Sequence, residues 1–221
     1  METLQTSRTQ LATWPSVKTF LSILLILGMF CGAGWAFLNK GLYLLPNKMC
    51  DGTLERDTVK WVIPKARSAD SGFDSQGAGD DITFPCHVTT SNDSIPSGKA
   101  QVEPVSRDQW LEYYRSSGKQ NQLFHVSVGN IEALAQINSS ANTSSVYVPC
   151  TPPFVPSYNS TQPYAVFGEA WIRKSANAKS VPLRETLTDF AYQLTQHAYK
   201  LAVCKKSRAF PKELPRYGSD G

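Results

Sequence analysis

Apolar positions along this chain follow three patterns, and each predicts a different element. Across residues 19–38 they are continuous, a 20-residue run rich in Leu, Ile, Phe and Gly without a charge. As a helix, a run of that length covers the hydrocarbon core of a bilayer, so a membrane-crossing helix is expected there. Across residues 80–90 the period is two, with Ile82, Phe84, Cys86 and Val88 alternating with polar neighbours, which predicts a strand. Across residues 182–205 the period is three to four. Leu183, Leu187, Phe190, Leu194, His197, Leu201 and Cys204 line one stripe of a long helix.

The remaining segments fill in a mixed pattern. Leu54, Thr58, Trp61 and Val62 predict a helix over 53–63, stopped by Pro64. A short strand over 98–103 ends before Pro104. Ser106 then opens a second helix with Gln109 as its capping-box partner, Trp110, Leu111 and Tyr114 as its apolar face and Gly118 as its stop. Strands are read at 123–128 and 164–172, and a hairpin pairs 132–137 with 146–150 across a polar loop at 138–145. Strands and helices alternate too irregularly for a doubly wound parallel sheet. The expected fold is α+β: one domain with an antiparallel or mixed sheet and about three helices outside the membrane.

The organisation follows from these elements. A cytoplasmic tail at 1–18 precedes the anchor at 19–38. A linker at 39–49 leads to the domain at 50–207, and a basic flexible tail occupies 208–221. Gly34-Trp35-Ala36 is the best signal-cleavage candidate, but the apolar run continues through Phe37 and Leu38 and resumes at Leu42, so an uncleaved anchor is expected. Cys31 lacks the preceding residues of a lipid-attachment site. Gly28 and Gly32 form a small-xxx-small pair through which two such helices can approach, a route to a homodimer. Arg8 and Lys18 before the run are nearly balanced by Lys40 and Lys48 after it, so charge alone does not orient the chain.

Cysteines orient it instead. Cys50, Cys86, Cys150 and Cys204 follow the anchor, an even set without a Cys-x-x-Cys pair, and such sets fit an oxidising compartment. The domain is therefore placed outside and the short tail inside. Of the three possible connectivities, local pairing suggests Cys50 with Cys86 and Cys150 with Cys204. Cys204 is expected on the buried face of the last helix.

Lys48-Met49-Cys50-Asp51-Gly52-Thr53, a following helix, and Phe84-Pro85-Cys86-His87-Val88 together resemble uncharacterised single-pass envelope proteins of actinomycetes. More loosely, they are similar to small secreted actinobacterial lipoproteins of unknown function. Val148-Pro149-Cys150-Thr151-Pro152-Pro153 carries the resemblance more weakly. It implies an envelope location and an α+β fold, and it supplies no catalytic residue.

Charge and motifs narrow the function. Beyond the anchor, 20 Lys and Arg face 17 Asp and Glu, and no basic stripe interleaves with aromatics, so nucleic acid is not an expected partner. Lys205, Lys206, Arg208, Lys212 and Arg216 against Glu213 read as a solvated run near the end. Ser116-Ser117-Gly118-Lys119 matches the Ser-x-x-Lys of penicillin-recognising enzymes, and Ser157-Tyr158-Asn159 mimics a second motif. No Lys-Thr-Gly element accompanies them. His87, His125 and His197 are isolated, without zinc spacing. Gly72, Gly77 and Gly79 sit in a loop with Asp70, Asp74, Asp80 and Asp81 whose spacing fits neither a phosphate loop nor an EF-hand. Asn92, Asn138, Asn142 and Asn159 head Asn-x-Ser/Thr sites and mark loops. The reading assigns no catalytic residue, cofactor or metal. It expects an anchored extracytoplasmic binding or interaction module for an envelope protein or polymer, with an anchored hydrolase of hidden site as the alternative.

Overall fold

The computed structural model describes residues 17–39, 46–59, 68–91, 95–116, 122–137, 142–155, 161–173 and 181–218. The chain divides into two units, Met1–Lys40 and Gly41–Gly221. In the first, the apolar run forms helix α1 (Val17–Asn39). Its segment Val17–Trp35 is long and apolar enough to cross a membrane, with a mean hydropathy of 1.9. A helix of 23 residues is about 35 Å long, enough for a bilayer core of about 30 Å.

The second unit is built on seven strands: β3 (Ala69–Phe73), β4 (Thr83–Thr90), β5 (Ile95–Glu103), β6 (Gln122–Val128), β7 (Ile131–Ile137), β8 (Asn142–Pro149) and β9 (Ala165–Arg173). They form one sheet in the order β3-β4-β5-β9-β8-β7-β6, and every neighbouring pair is antiparallel. Two meanders, β3-β4-β5 and β6-β7-β8-β9, are thus zipped together by β5 and β9. The fold is α+β, as the sequence implies.

Helix α4 (Val181–Leu201) closes one face of this sheet. Leu183, Leu187, Phe190, Ala191, Leu194 and Ala198 are buried in one core with Ala100 and Val102 of β5, Val146 and Val148 of β8, and Val166, Ala170 and Ile172 of β9. Two glycines let the helix approach this closely. A Cβ on Gly168 would lie 2.2 Å from Thr195 Oγ1 and 2.6 Å from the Ala191 carbonyl oxygen, and one on Gly98 would lie 2.6 Å from Leu194 Cδ1. The helix ends earlier than its periodicity suggests. Leu201 is largely exposed, Val203 turns the chain with φ 49°, and Cys204 lies past the helix rather than on its buried face. The turn is what carries its sulfur to Cys150.

Both disulfides follow the local pairing, Cys50–Cys86 and Cys150–Cys204. The first ties a small ribbon, β1 (Lys48–Met49) with β2 (Leu54–Glu55), to β4. That ribbon corrects the helix expected over 53–63, of which only one turn, α2 (Arg56–Val59), forms within the described residues. Three successive positive φ values, at Cys50, Asp51 and Gly52, reverse the chain so that Leu54 pairs with Met49 in the core. The Asp- and Ser-rich stretch around Gly72 is likewise not all loop. Its residues Ala69–Phe73 form the edge strand β3, where few apolar residues are needed because one side of the strand faces solvent.

The basic tail expected to be flexible from 208 is held to the domain through the described residues. Phe210 packs beside Tyr192 and Tyr199, Leu214 and Tyr217 are buried, and the Tyr192 hydroxyl donates to the Pro211 carbonyl at 2.7 Å. Arg216 Nη1 donates to Asp189 Oδ2 at 2.8 Å. Farther along, the Arg184 guanidinium stacks 3.7 Å above the Phe124 ring and 5.1 Å from that of Tyr217. Aromatic residues interspersed among the basic ones are the reason: their burial outweighs the solvation of the charges between them.

Candidate functional site

The face of the sheet opposite α4 is covered only in part. Helix α3 (Arg107–Ser116) crosses it on the way from β5 to β6. Its start is the capping box read from the sequence: the Gln109 amide donates to Ser106 Oγ at 3.2 Å, and the Ser106 amide donates to Gln109 Oε1 at 2.8 Å. Trp110, Leu111 and Tyr114 then pack on Leu134 of β7, Tyr147 of β8 and Ala165 of β9. Trp110 Nε1 donates to Ser145 Oγ at 2.9 Å, so the helix is pinned to the sheet by a buried hydrogen bond.

That bond explains a misreading. Ser144 and Ser145 look like loop residues, yet β8 begins at Asn142 and both serines are buried strand residues. Ser145 accepts from Trp110 on one face, and Ser144 accepts from Thr188 of α4 at 3.0 Å on the other. Polar side chains there serve helices on both sides of the sheet. The expected hairpin partners do pair, β7 with β8 antiparallel, and β8 starts four residues earlier than the expected arm; residues 138–141 lie outside the described residues.

Beside α3, the strands β5 and β9 present a polar and aromatic strip. Lys99, Gln101 and Glu103 alternate with the core-facing Ala100 and Val102; Phe167, Glu169 and Trp171 alternate with Gly168 and Ala170. Between this strip and α3 lies a groove of about 420 Å³, lined by Lys99, Gln101, Glu103, Val105, Tyr113, Tyr114, Phe167 and Glu169 among others. Such a volume is in the range that holds a small ligand.

The polar groups in the groove are arranged around two carboxylates. Glu169 accepts from the Tyr114 hydroxyl and lies 3.9 Å from Lys99 Nζ, its cross-strand partner. Burial and the Glu169 charge push the Tyr114 phenol well above its ordinary range, so it stays protonated and remains a donor. Glu103 accepts from the Gln101 side-chain amide. Desolvation raises its pKa, Lys99 partly opposes that, and Glu169 adds to it. On the rim, the Tyr113 ring stands perpendicular to Tyr114 at 5.1 Å and is 61% exposed.

A second ionic cluster nearby is structural. The buried Glu132 carboxylate accepts from Arg107 Nε and bonds His125 Nε2 at 2.9 Å. It ties the first turn of α3 to β6 and β7 and uses both carboxylate oxygens.

The residues singled out in the sequence are scattered. Ser116 ends α3 and donates to the Tyr113 carbonyl oxygen at 3.1 Å; Lys119 and residues 157–159 lie outside the described residues. His87 is on β4, His125 holds Glu132, and His197 packs 4.5 Å from the Phe84 ring, with burial lowering its pKa. Asp70 caps the Ser71 amide at 2.9 Å and Asp74 accepts from Gln76 at 2.8 Å. Among the described residues, no group of three or more His, Cys, Asp or Glu is placed to hold a metal ion. Asn142 is buried in β8 and so is not a surface loop residue, while Asn92, Asn138 and Asn159 lie outside the described residues. Of the groove lining, the sequence pattern marks Trp110 and Tyr114, and marks them as core residues of a helix rather than as a site. The signal for the strand residues of the lining is the alternation within 98–103 and 164–172, where the second face of two central strands carries Lys99, Gln101, Glu103 and Glu169 among aromatic rings.

Comparison with family models, with curated proteins and with solved structures finds no match to this chain.

Proposed function

We propose that this protein is a membrane-anchored binding module whose domain lies outside the cytoplasm and takes its ligand in the groove between α3 and the β5–β9 strip. The groove itself carries this reading. One face of the sheet is sealed by α4, whereas on the other the Glu103 carboxylate is exposed, Lys99, Phe167 and Glu169 are only partly covered, and the Gln101 amide is buried among them. Leaving a central strip so polar and only partly covered forgoes burial that a third layer would supply, and binding surfaces are the usual place for that. An apolar helix long enough to cross a bilayer and two disulfides support the anchored, extracytoplasmic setting. The envelope resemblance around Cys50 and Cys86 points the same way.

The hydrolase reading draws less from the geometry. Among the described residues the groove lining holds no Ser, Cys or His, and Glu169 is engaged by Tyr114 and Lys99. A single further carboxyl, Glu103, is not the opposed pair that hydrolysis of a glycosidic bond requires.

Two measurements test the proposal. In intact cells, a membrane-impermeant amine reagent labels the exposed Lys205 and Lys206 of the full-length protein without permeabilisation. Labelling only after permeabilisation reverses the topology. A photo-crosslinking residue in place of Tyr113 forms an adduct in the same cells, and one in place of Lys200, exposed on α4, does not. Failure to form an adduct at Tyr113, or equal adducts at both positions, overturns the assignment of the groove.

A further inference from the structure

Resting on the groove as the binding site, we infer that its ligand is held through a primary alkylammonium group, of the kind a lysine-type side chain presents, set between Glu103 and the ring of Tyr113. Charge is the first argument. The chain as a whole is basic, with a net charge of +4, yet among the described residues the groove places two glutamates against one lysine. A site of opposite sign to its own protein selects and steers cations.

The partners of the two carboxylates give the second argument. Glu169 has a phenol donor and Lys99 at 3.9 Å, so its charge is answered from within the protein. Glu103 has a neutral amide donor, Gln101, and feels Lys99 only through space. The charge still to be supplied at Glu103 is positive. Partial burial raises the Glu103 carboxyl above its usual range, Lys99 opposes this through space and Glu169 adds to it, so a further cation at this carboxylate is favoured.

The walls supply the rest. Tyr113 offers an exposed ring face at the rim, and Phe167 and Val105 line the groove beside Glu103. Aromatic faces attract ammonium groups, and apolar walls suit a methylene stem better than a hydroxylated ring. A charge-assisted bond to Glu103 and a cation–π contact to Tyr113 are then made by the same nitrogen.

Titration of the detergent-solubilised full-length protein tests this, with Nα-acetyl-lysine methylamide as the probe and its Nε-acetylated, neutral counterpart as the comparison. The amine binds saturably at roughly millimolar concentration, and Nε-acetylation weakens binding by about tenfold or more. Glu103→Gln causes a similar loss for the amine while the melting temperature is unchanged. Glu112→Gln, the same charge change on the exposed side of α3 outside the groove lining, has no effect. Affinity falls as the pH is lowered through the raised range of Glu103, since protonation removes the counter-charge; the acid limb disappears in Glu103→Gln. Lys99 and Glu169 are the charged groups that act on this carboxyl, and Tyr113 and Tyr114 are the other titratable groups lining the same groove. Equal binding of amine and amide, an unchanged affinity in Glu103→Gln, or no saturable binding overturns the inference. If a cellular ligand without an amine crosslinks at Tyr113, the ammonium assignment falls while the groove remains the binding site.

Discussion

Replacing Cys150 and Cys204 together by Ser lowers the stability of the domain by about 4 kcal/mol. Their sequence separation of 54 closes a long loop, and in the chain-entropy treatment its release returns that much freedom to the unfolded chain. The Cys50–Cys86 bond, with a separation of 36, contributes a similar amount, and the two loops do not overlap. Losing both therefore costs about 8 kcal/mol, comparable to the whole stability of an ordinary domain. Denaturant unfolding of the oxidised protein, the double-Ser variant and the fully reduced protein reads this directly. Peptide mapping of Cys204→Ser should show Cys150 alkylated on unfolding, with Cys50 and Cys86 still joined. A double-Ser variant whose unfolding midpoint matches the parent would show that the bond contributes nothing to stability.

Gly168→Ala is expected to cost about 3 kcal/mol, near the upper end for overpacking by one methyl group. The added carbon would meet Thr195 Oγ1 at 2.2 Å and the Ala191 carbonyl oxygen at 2.6 Å, and the second is backbone. Helix α4 must then lift from β9, and with it the contacts of Phe190 and Leu194. The Thr195 hydroxyl is itself bonded to the Ala191 carbonyl at 2.7 Å, so the obstruction is a fixed pair rather than a loose side chain. Thr195→Ala in the Gly168→Ala background should recover part of the loss but not all of it, because the carbonyl stays. A double-mutant cycle by urea unfolding gives the coupling. Full recovery, or no loss at all, would mean that α4 does not pack on β9 at this distance.

Neighbouring residues carry most of what the sequence made legible. The apolar run of α1, the stripe of α4 through Leu194, the alternation of Phe84, Cys86 and Val88, and the Ser106–Gln109 capping box all depend on spacing within one segment. Burial of a helical stripe or of one face of a strand imposes that spacing, so it can be read back from it. Local cysteine pairing was legible for the same reason, since each partner lies in the same half of the domain.

What tertiary structure alone decided was which polar residues are inside and which are gathered together. Ser144 and Ser145 read as loop because nothing local shows that Thr188 and Trp110, from two different helices, come to bond them. Phe210, Leu214 and Tyr217 were lost in a basic tail until Tyr192 and the ring of Phe124 gave them a surface to pack on. The groove is the extreme case. Glu103 and Glu169 are 66 positions apart in the chain and become neighbours of one cavity only because β5 pairs with β9 and α3 stops short of covering them. Periodicity records how a segment meets the core. It carries no record of which distant strand will lie beside it, and a site made from two strands and a helix exists only in that pairing.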